Sequence, residues 1–188
     1  MKLNADRIVS LSAMVAGLGS LFIIVYQTHL SRQAQHALML PYLMFAVSAN
    51  DGGVHVALSN TGVGPAIVED VRVRHNGRDF EGDAHQFYVA QRPTNSGNIG
   101  VNSVMAGRLI PAGAWIQMVG VGDAASSERG QAFLNDVLKL FQVAEVPESW
   151  YAGTGNAASD RAVIEIIYAS VYGERWRIRS DQIVPEKL

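Results

Sequence analysis

The stretch Ile8 to Tyr26, IVSLSAMVAGLGSLFIIVY, carries no charged side chain, and it restricts the fate of the chain more than any other feature. As a helix rising about 1.5 Å per residue it crosses the roughly 30 Å of a bilayer core. A secretory leader competes for the same residues, because Lys2 and Arg7 precede the run. The run outlasts a leader's apolar core, however, and Gln27, Thr28 and His29 follow Tyr26 without a small-x-small cleavage site. An uncleaved anchor is therefore expected. Lys2 and Arg7 before the span, against Arg32 close after it, place the amino terminus in the cytoplasm by the positive-inside rule. The expected location is a bacterial inner membrane, crossed once, with the following domain on the periplasmic side.

Within the span, Ser12, Ala16 and Ser20 recur every fourth residue, beside a second pair, Ala13 and Gly17. Small residues at that spacing let another helix approach closely, where packing drives association in lipid. These five positions are the expected partner-packing stripe. The segment QTHLSRQAQHALMLPYL continues in helix formers up to Pro41, which disfavours helical angles at Leu40. The helix is thus expected to leave the membrane as a neck reaching toward Leu40, with Leu30, Ala34, Ala37 and Leu38 on one side. Residues 1–40 form the anchor and neck, and 41–188 a separate domain.

That domain has enough residues to bury one core. A formal charge of −2 provides no basic field for nucleic acid, and the absence of cysteine removes disulfides and thiolate chemistry. From Pro41 the apolar pattern changes to period two. PYLMFAVSA, VHVALSN, AIVEDVRVRHNG, HQFYVA, VMAGRLIPAG, AWIQMVGVG, RAVIEIIYASVYG and ERWRIRS read as strands, separated by turn signals such as NDGG at 50–53 and HNG at 75–77. Between them, SERGQAFLNDVLKLFQ at 127–142 sets Phe133, Val137, Leu138 and Phe141 at helical spacing. The expected fold is a membrane helix followed by a mainly β domain, an Ig-like antiparallel sandwich with one inserted α-helix.

Alternation in two of the strands sets Arg72 and Arg74 on one face, and Arg175, Arg177 and Arg179 on another. These arginines are either a solvated face salted by Glu69, Asp70, Glu81 or Glu174, or a docking surface for anionic headgroups or an acidic subunit.

The most distinctive local sequence is Asn60-Thr61-Gly62-Val63-Gly64-Pro65-Ala66. Gly62 and Gly64 allow positive φ and Pro65 stiffens the exit, so the segment reads as a shaped strand connection. Together with the Gln-rich neck and its Pro-hydrophobic end at Gln33 to Leu43, the segment Gly107 to Gly113, and the final strand Ile166 to Trp176, it resembles a family of uncharacterised bacterial proteins with one amino-terminal membrane helix. The resemblance runs through nearly the whole chain and implies an anchored β domain without assigning an activity. Members often carry cysteines in the last strand, where this chain has Tyr168, Ser170 and Tyr172.

No catalytic or cofactor signature stands out. GVGPAI at 62–67 contains a proline and leads into a strand; GVGDAA at 120–125 precedes a helix but lacks a Lys-Ser/Thr pair. The histidines at 29, 36, 55, 75 and 85 have no H-x-x-x-H or H-x-E spacing, and no G-x-S-x-G is present. Glu165, inside VIEIIYASV, is the one carboxylate placed for burial, at a sheet edge or against an arginine. The expectation is therefore a non-catalytic accessory or scaffold subunit of a larger membrane complex, photosynthetic or respiratory assemblies being possible hosts. No cofactor or metal is expected, and the partners are lipid and other membrane subunits. The alternative is a tethered ligand-binding or sensor module using the polar loop Arg92 to Val104.

Overall fold

The computed structural model describes residues 5–37, 39–91, 99–152, 154–155 and 157–188. Lys2, Leu38 and the first part of the polar loop, residues 92–98, lie outside the described residues, as do the side chains of Arg7, Gln33, Gln35, His36 and Ala37. The chain divides into two compact units, Met1–Leu38 and Met39–Leu188.

The first unit contains one helix, α1, Ala5–Ala37. Its residues Ile8–Arg32 are long and apolar enough to cross a membrane, and none of the apolar window is buried against the rest of the protein. A soluble helix of this length would turn an apolar face to a core. Here Val9, Leu11, Ile23 and Ile24, on different sides of the helix, are all exposed.

The second unit is a mainly antiparallel β domain with two sheets. Its strands are β1 (Leu43–Asn50), β2 (Gly53–Asn60), β3 (Ala66–His75), β4 (Arg78–Glu81), β5 (Gly100–Val101), β6 (Leu109–Ile110), β7 (Trp115–Val121), β8 (Val163–Ala169), β9 (Arg175–Arg179) and β10 (Glu186–Lys187). One sheet runs β1-β2-β7-β5; the other runs β10-β9-β8-β3-β4, with β6 also paired to β3. The hairpins follow their turn residues. Asp51-Gly52 closes β1 onto β2, with Asn50 opposite Gly53. Asn76 and Gly77, at φ 51° and 72°, form the two-residue loop between β3 and β4. Side chains from both sheets meet in one core, including Phe45, Val56, Leu58 and Ile116 from the first and Val73, Ile164, Ile166, Tyr168 and Ile178 from the second.

Helix content exceeds the single insertion expected from the sequence. Besides α3 (Glu128–Leu140), helices form at α2 (Ala84–Gln91) and α4 (Glu148–Tyr151). HQFYVA is thus helical and not a strand. Asp83 caps it, accepting the Gln86 N–H at 2.9 Å, and Ala84, Phe87 and Tyr88 turn inward at helical spacing. The expected strand VMAGRLIPAG is mostly loop, with only Leu109–Ile110 paired. For α3 the spacing is as expected: Phe133, Val137 and Leu138 are buried, and Ser127 caps the start by accepting the Gly130 N–H at 3.0 Å.

Candidate functional site

Three surfaces bear on interaction. The first is the small-residue stripe on α1. Ser12 Oγ donates to the Val9 carbonyl and Ser20 Oγ to that of Ala16, each at 2.8 Å, so both hydroxyls are satisfied inside their own helix. A Cβ built on Gly17 would meet nothing within 4 Å. Ser12, Ala13, Ala16, Gly17 and Ser20 are all exposed, leaving the stripe smooth and uncovered.

The second surface is the outer face of the sheet containing β3, β8 and β9. The register brings Arg72, Glu165 and Arg179 into one row, and Asp70, Ile167, Arg177 and Glu186 into another. The arginine faces read separately from two strands are therefore one face, because β8 lies between β3 and β9. Every one of the five arginines has a carboxylate of its own chain. Arg72 pairs with Asp70, Arg74 with Asp79 at 2.9 Å, Arg175 with Glu69 at 2.7 Å, Arg177 with Glu186 at 2.6 Å and Arg179 with Asp181 at 2.7 Å. Hydrogen bonding to these carboxylates raises the pKa of Arg72, Arg74 and Arg177, and the bond from Arg74 lowers that of Asp79. An acidic partner docking here would have to displace these contacts. Glu165 is only 8% exposed and lies on central β8, between Arg72 and Arg179, rather than at a sheet edge.

The Asn60–Ala66 segment has a structural role that its glycines disguise. Neither Gly62 nor Gly64 adopts positive φ; what they permit is close approach. A Cβ on Gly62 would stand 2.4 Å from the Leu40 carbonyl, and one on Gly64 1.9 Å from that of Met39. Asn60, 1% exposed, joins the three strands of chain that meet there. Its Oδ1 accepts the N–H groups of Tyr42 and Gly62, each at 3.1 Å. Its Nδ2 reaches the carbonyls of Gly64 (2.9 Å), Ile110 (3.1 Å) and Pro111 (3.2 Å). The segment locks the first residues of the β domain against the loop before β7.

The third surface is the outer face of the first sheet. Opposed residues in its register share a face, giving rows of Met44, Ser59 and Trp115; Ala46, Ala57 and Gln117; and Ser48, His55, Gly120 and Gly100. No charged residue occurs among them. The Trp115 ring meets the His55 ring edge-on, centroids 4.6 Å apart, and Ala57, which lies between His55 and Ser59 on β2, is 0% exposed. Trp115 itself remains 49% exposed. Burial holds the His55 imidazole below its ordinary pKa.

Sequence reasoning did not reach this face, because it emerges only when β2 pairs with β7. It also missed Arg161, which stacks 4.0 Å above the Tyr151 ring and donates to Gln142 Oε1 at 2.8 Å and Thr154 Oγ1 at 3.3 Å. An open cleft of about 520 Å³ lies between the β3–β4 hairpin and α2, lined by His75, Arg78, Phe80, Phe87 and Gln91. Among the described residues, no group of three or more His, Cys, Asp or Glu is placed to hold a metal ion. No protein family matches this chain, and neither a curated protein nor a solved structure does.

Proposed function

We propose that the chain is a single-pass membrane protein whose β domain acts as a non-catalytic accessory or scaffold subunit of a larger bacterial membrane complex. The observation that carries this reading is α1. Its apolar residues are exposed all round and its serine hydroxyls are bonded internally, as a helix surrounded by lipid requires. The stripe Ser12, Ala13, Ala16, Gly17 and Ser20 then provides a seat for a neighbouring helix. Arg72, Arg74, Arg175, Arg177 and Arg179 are a further docking surface if an acidic group exchanges with their present partners. The two sheets are read as an Ig-like sandwich carried on the periplasmic side of the inner membrane, in keeping with the resemblance to anchored bacterial proteins. Photosynthetic and respiratory complexes are both compatible hosts.

The test is gentle solubilisation of the native membrane followed by native-gel separation. The chain is expected in a high-mass species, from which the double change Ala16→Leu and Gly17→Leu releases it while it stays resistant to alkaline carbonate. Migration of the unaltered chain as a free monomer would overturn the scaffold role.

The cleft beside α2 favours a second reading, a tethered ligand-binding module, since Phe80 and Phe87 offer apolar walls and Arg78 a cation. Arg78→Ala would then abolish ligand capture and leave the high-mass species intact.

A further inference from the structure

The uncharged face of the first sheet is built differently from the rest of the domain's surface. The second sheet turns outward a lattice of arginines and carboxylates, whereas β1, β2 and β7 turn outward Met44, Ala46, Ser48, His55, Ala57, Ser59, Trp115 and Gln117. Charge depletion around an exposed tryptophan is the composition of an interface centre. The relief of the face is specific. Trp115 stretches toward β2, where its ring meets that of His55, forming a ridge. Two strands away, Ala46 and Ser48 on β1 leave a shallow strip without bulk.

We infer that this face packs against the same face of a second copy about a two-fold axis, with Trp115 of each copy resting on the Ala46–Ser48 strip of the other.

Three arguments select a second copy. First, the face is complementary to itself in charge. It meets its own image without repulsion, while His55, Gln117, Ser48 and Ser59 offer both donors and acceptors. The arginine-bearing sheet could not do this without like charges opposed. Second, ridge and hollow lie about two strand spacings apart, roughly 10 Å, which lets two ridges lie side by side astride an axis near β2. Third, the area suits tethered copies. Three strands at about 4.8 Å and some six residues at about 3.3 Å give a face of roughly 300 Å². That is somewhat over a third of the roughly 800 Å² each partner contributes to a standard stable interface. Such a contact is weak between free domains, but copies confined to one membrane by α1 meet at high effective concentration. The inference rests on the membrane-anchored reading for this last step alone.

The chain has no cysteine, so a single introduced thiol reports one place. The full chain is reconstituted into phospholipid vesicles and treated with a short bismaleimide. Ser59→Cys, beside the proposed axis, is expected to give covalent dimer about tenfold faster than Arg74→Cys on the other sheet. Adding Ala46→Glu, which sets a desolvated carboxylate against the ring face of the partner's Trp115, should reduce the Ser59→Cys rate to that of Arg74→Cys, whereas Ala46→Ser should leave it unchanged. Equal rates for Ser59→Cys and Arg74→Cys would overturn the inference, and so would persistence of fast cross-linking with Ala46→Glu. Loss of a different co-purifying protein on Trp115→Ala, with no Ser59→Cys dimer, would assign the face to that protein and also overturn it. Alkaline extraction of the same vesicles reports on the anchor separately, so failure of the membrane reading is distinguishable from failure of the dimer.

Discussion

At Asn60 one side chain makes five hydrogen bonds to backbone groups from three parts of the chain. Asn60→Ala leaves buried donors and acceptors unmatched at once and is expected to cost about 3 kcal/mol, read as a lower denaturation midpoint of the detergent-solubilised chain. The neighbouring glycines respond to sterics. Gly64→Ala would place a Cβ 1.9 Å from the Met39 carbonyl oxygen and should destabilise by about 2 kcal/mol. Gly122→Ala, with nothing within 4 Å, should change stability by less than about 0.5 kcal/mol. The N-x-G-x-G-P-A sequence was legible as a special connection, but its reason was not. Glycine permits both a left-handed backbone and a close neighbour, and only the fold shows that Met39 and Leu40 are the neighbours here. A different residue governs the alkaline limit. Burial pushes the Tyr168 hydroxyl from 10.0 up to about 12, partly offset by the Leu43 N–H that donates to it at 3.5 Å. A raised pKa of this kind contributes stability in full below pH 10.0, and that contribution is lost as pH rises through about 12. Thermal melts across this window should show the midpoint falling with pH, less steeply in Tyr168→Phe.

Among the elements, hairpins were the most legible, because Asn50-Asp51-Gly52-Gly53 and His75-Asn76-Gly77 carry turn chemistry that few other structures tolerate. HQFYVA, within α2, reads as a strand because it is short and half apolar, and at that length period two and period 3.6 are hard to separate. The cue was Asp83 with Gln86 three residues on, a helix-start pattern whose Asp83 does cap the helix. Pairing between strands that no short turn joins was not legible. Arg72 and Arg179 belong to strands far apart in sequence, and only the position of β8 between them makes Glu165 their common neighbour. The exposed ion pairs on that sheet are individually weak, and Arg175→Ala is expected to cost under about 1 kcal/mol. Arg72, Arg74 and Arg177 all interact electrostatically with Glu165, so removing both Arg72 and Arg177 strips the buried carboxylate of two of these cations. The double alanine variant should therefore lose about 1 to 2 kcal/mol more than the two single variants added together, in a double-mutant cycle read by urea denaturation.

For the whole molecule, the division into an apolar helix and a β domain was legible from composition and periodicity, because lipid and a protein core impose different patterns on a sequence. The face carrying Trp115 was not, since its uncharged character is a property of three strands taken together. The β domain contains its own core, so the fragment 39–188 is expected to fold without α1 and to melt within about 3 °C of the detergent-solubilised chain, measured by near-ultraviolet circular dichroism. The Asn60 lock also has a consequence for biosynthesis. Its partners span Tyr42 to Pro111, so the start of the domain cannot be fastened until the chain through β6 has been made and has reached the folding compartment. The apolar helix emerges first and the first hairpin can close early, since its contacts are local. Until Ile110 and Pro111 arrive, a nascent chain has its domain entrance still open. Premature arrest before that point would leave an unfastened product, the form a quality-control protease would attack.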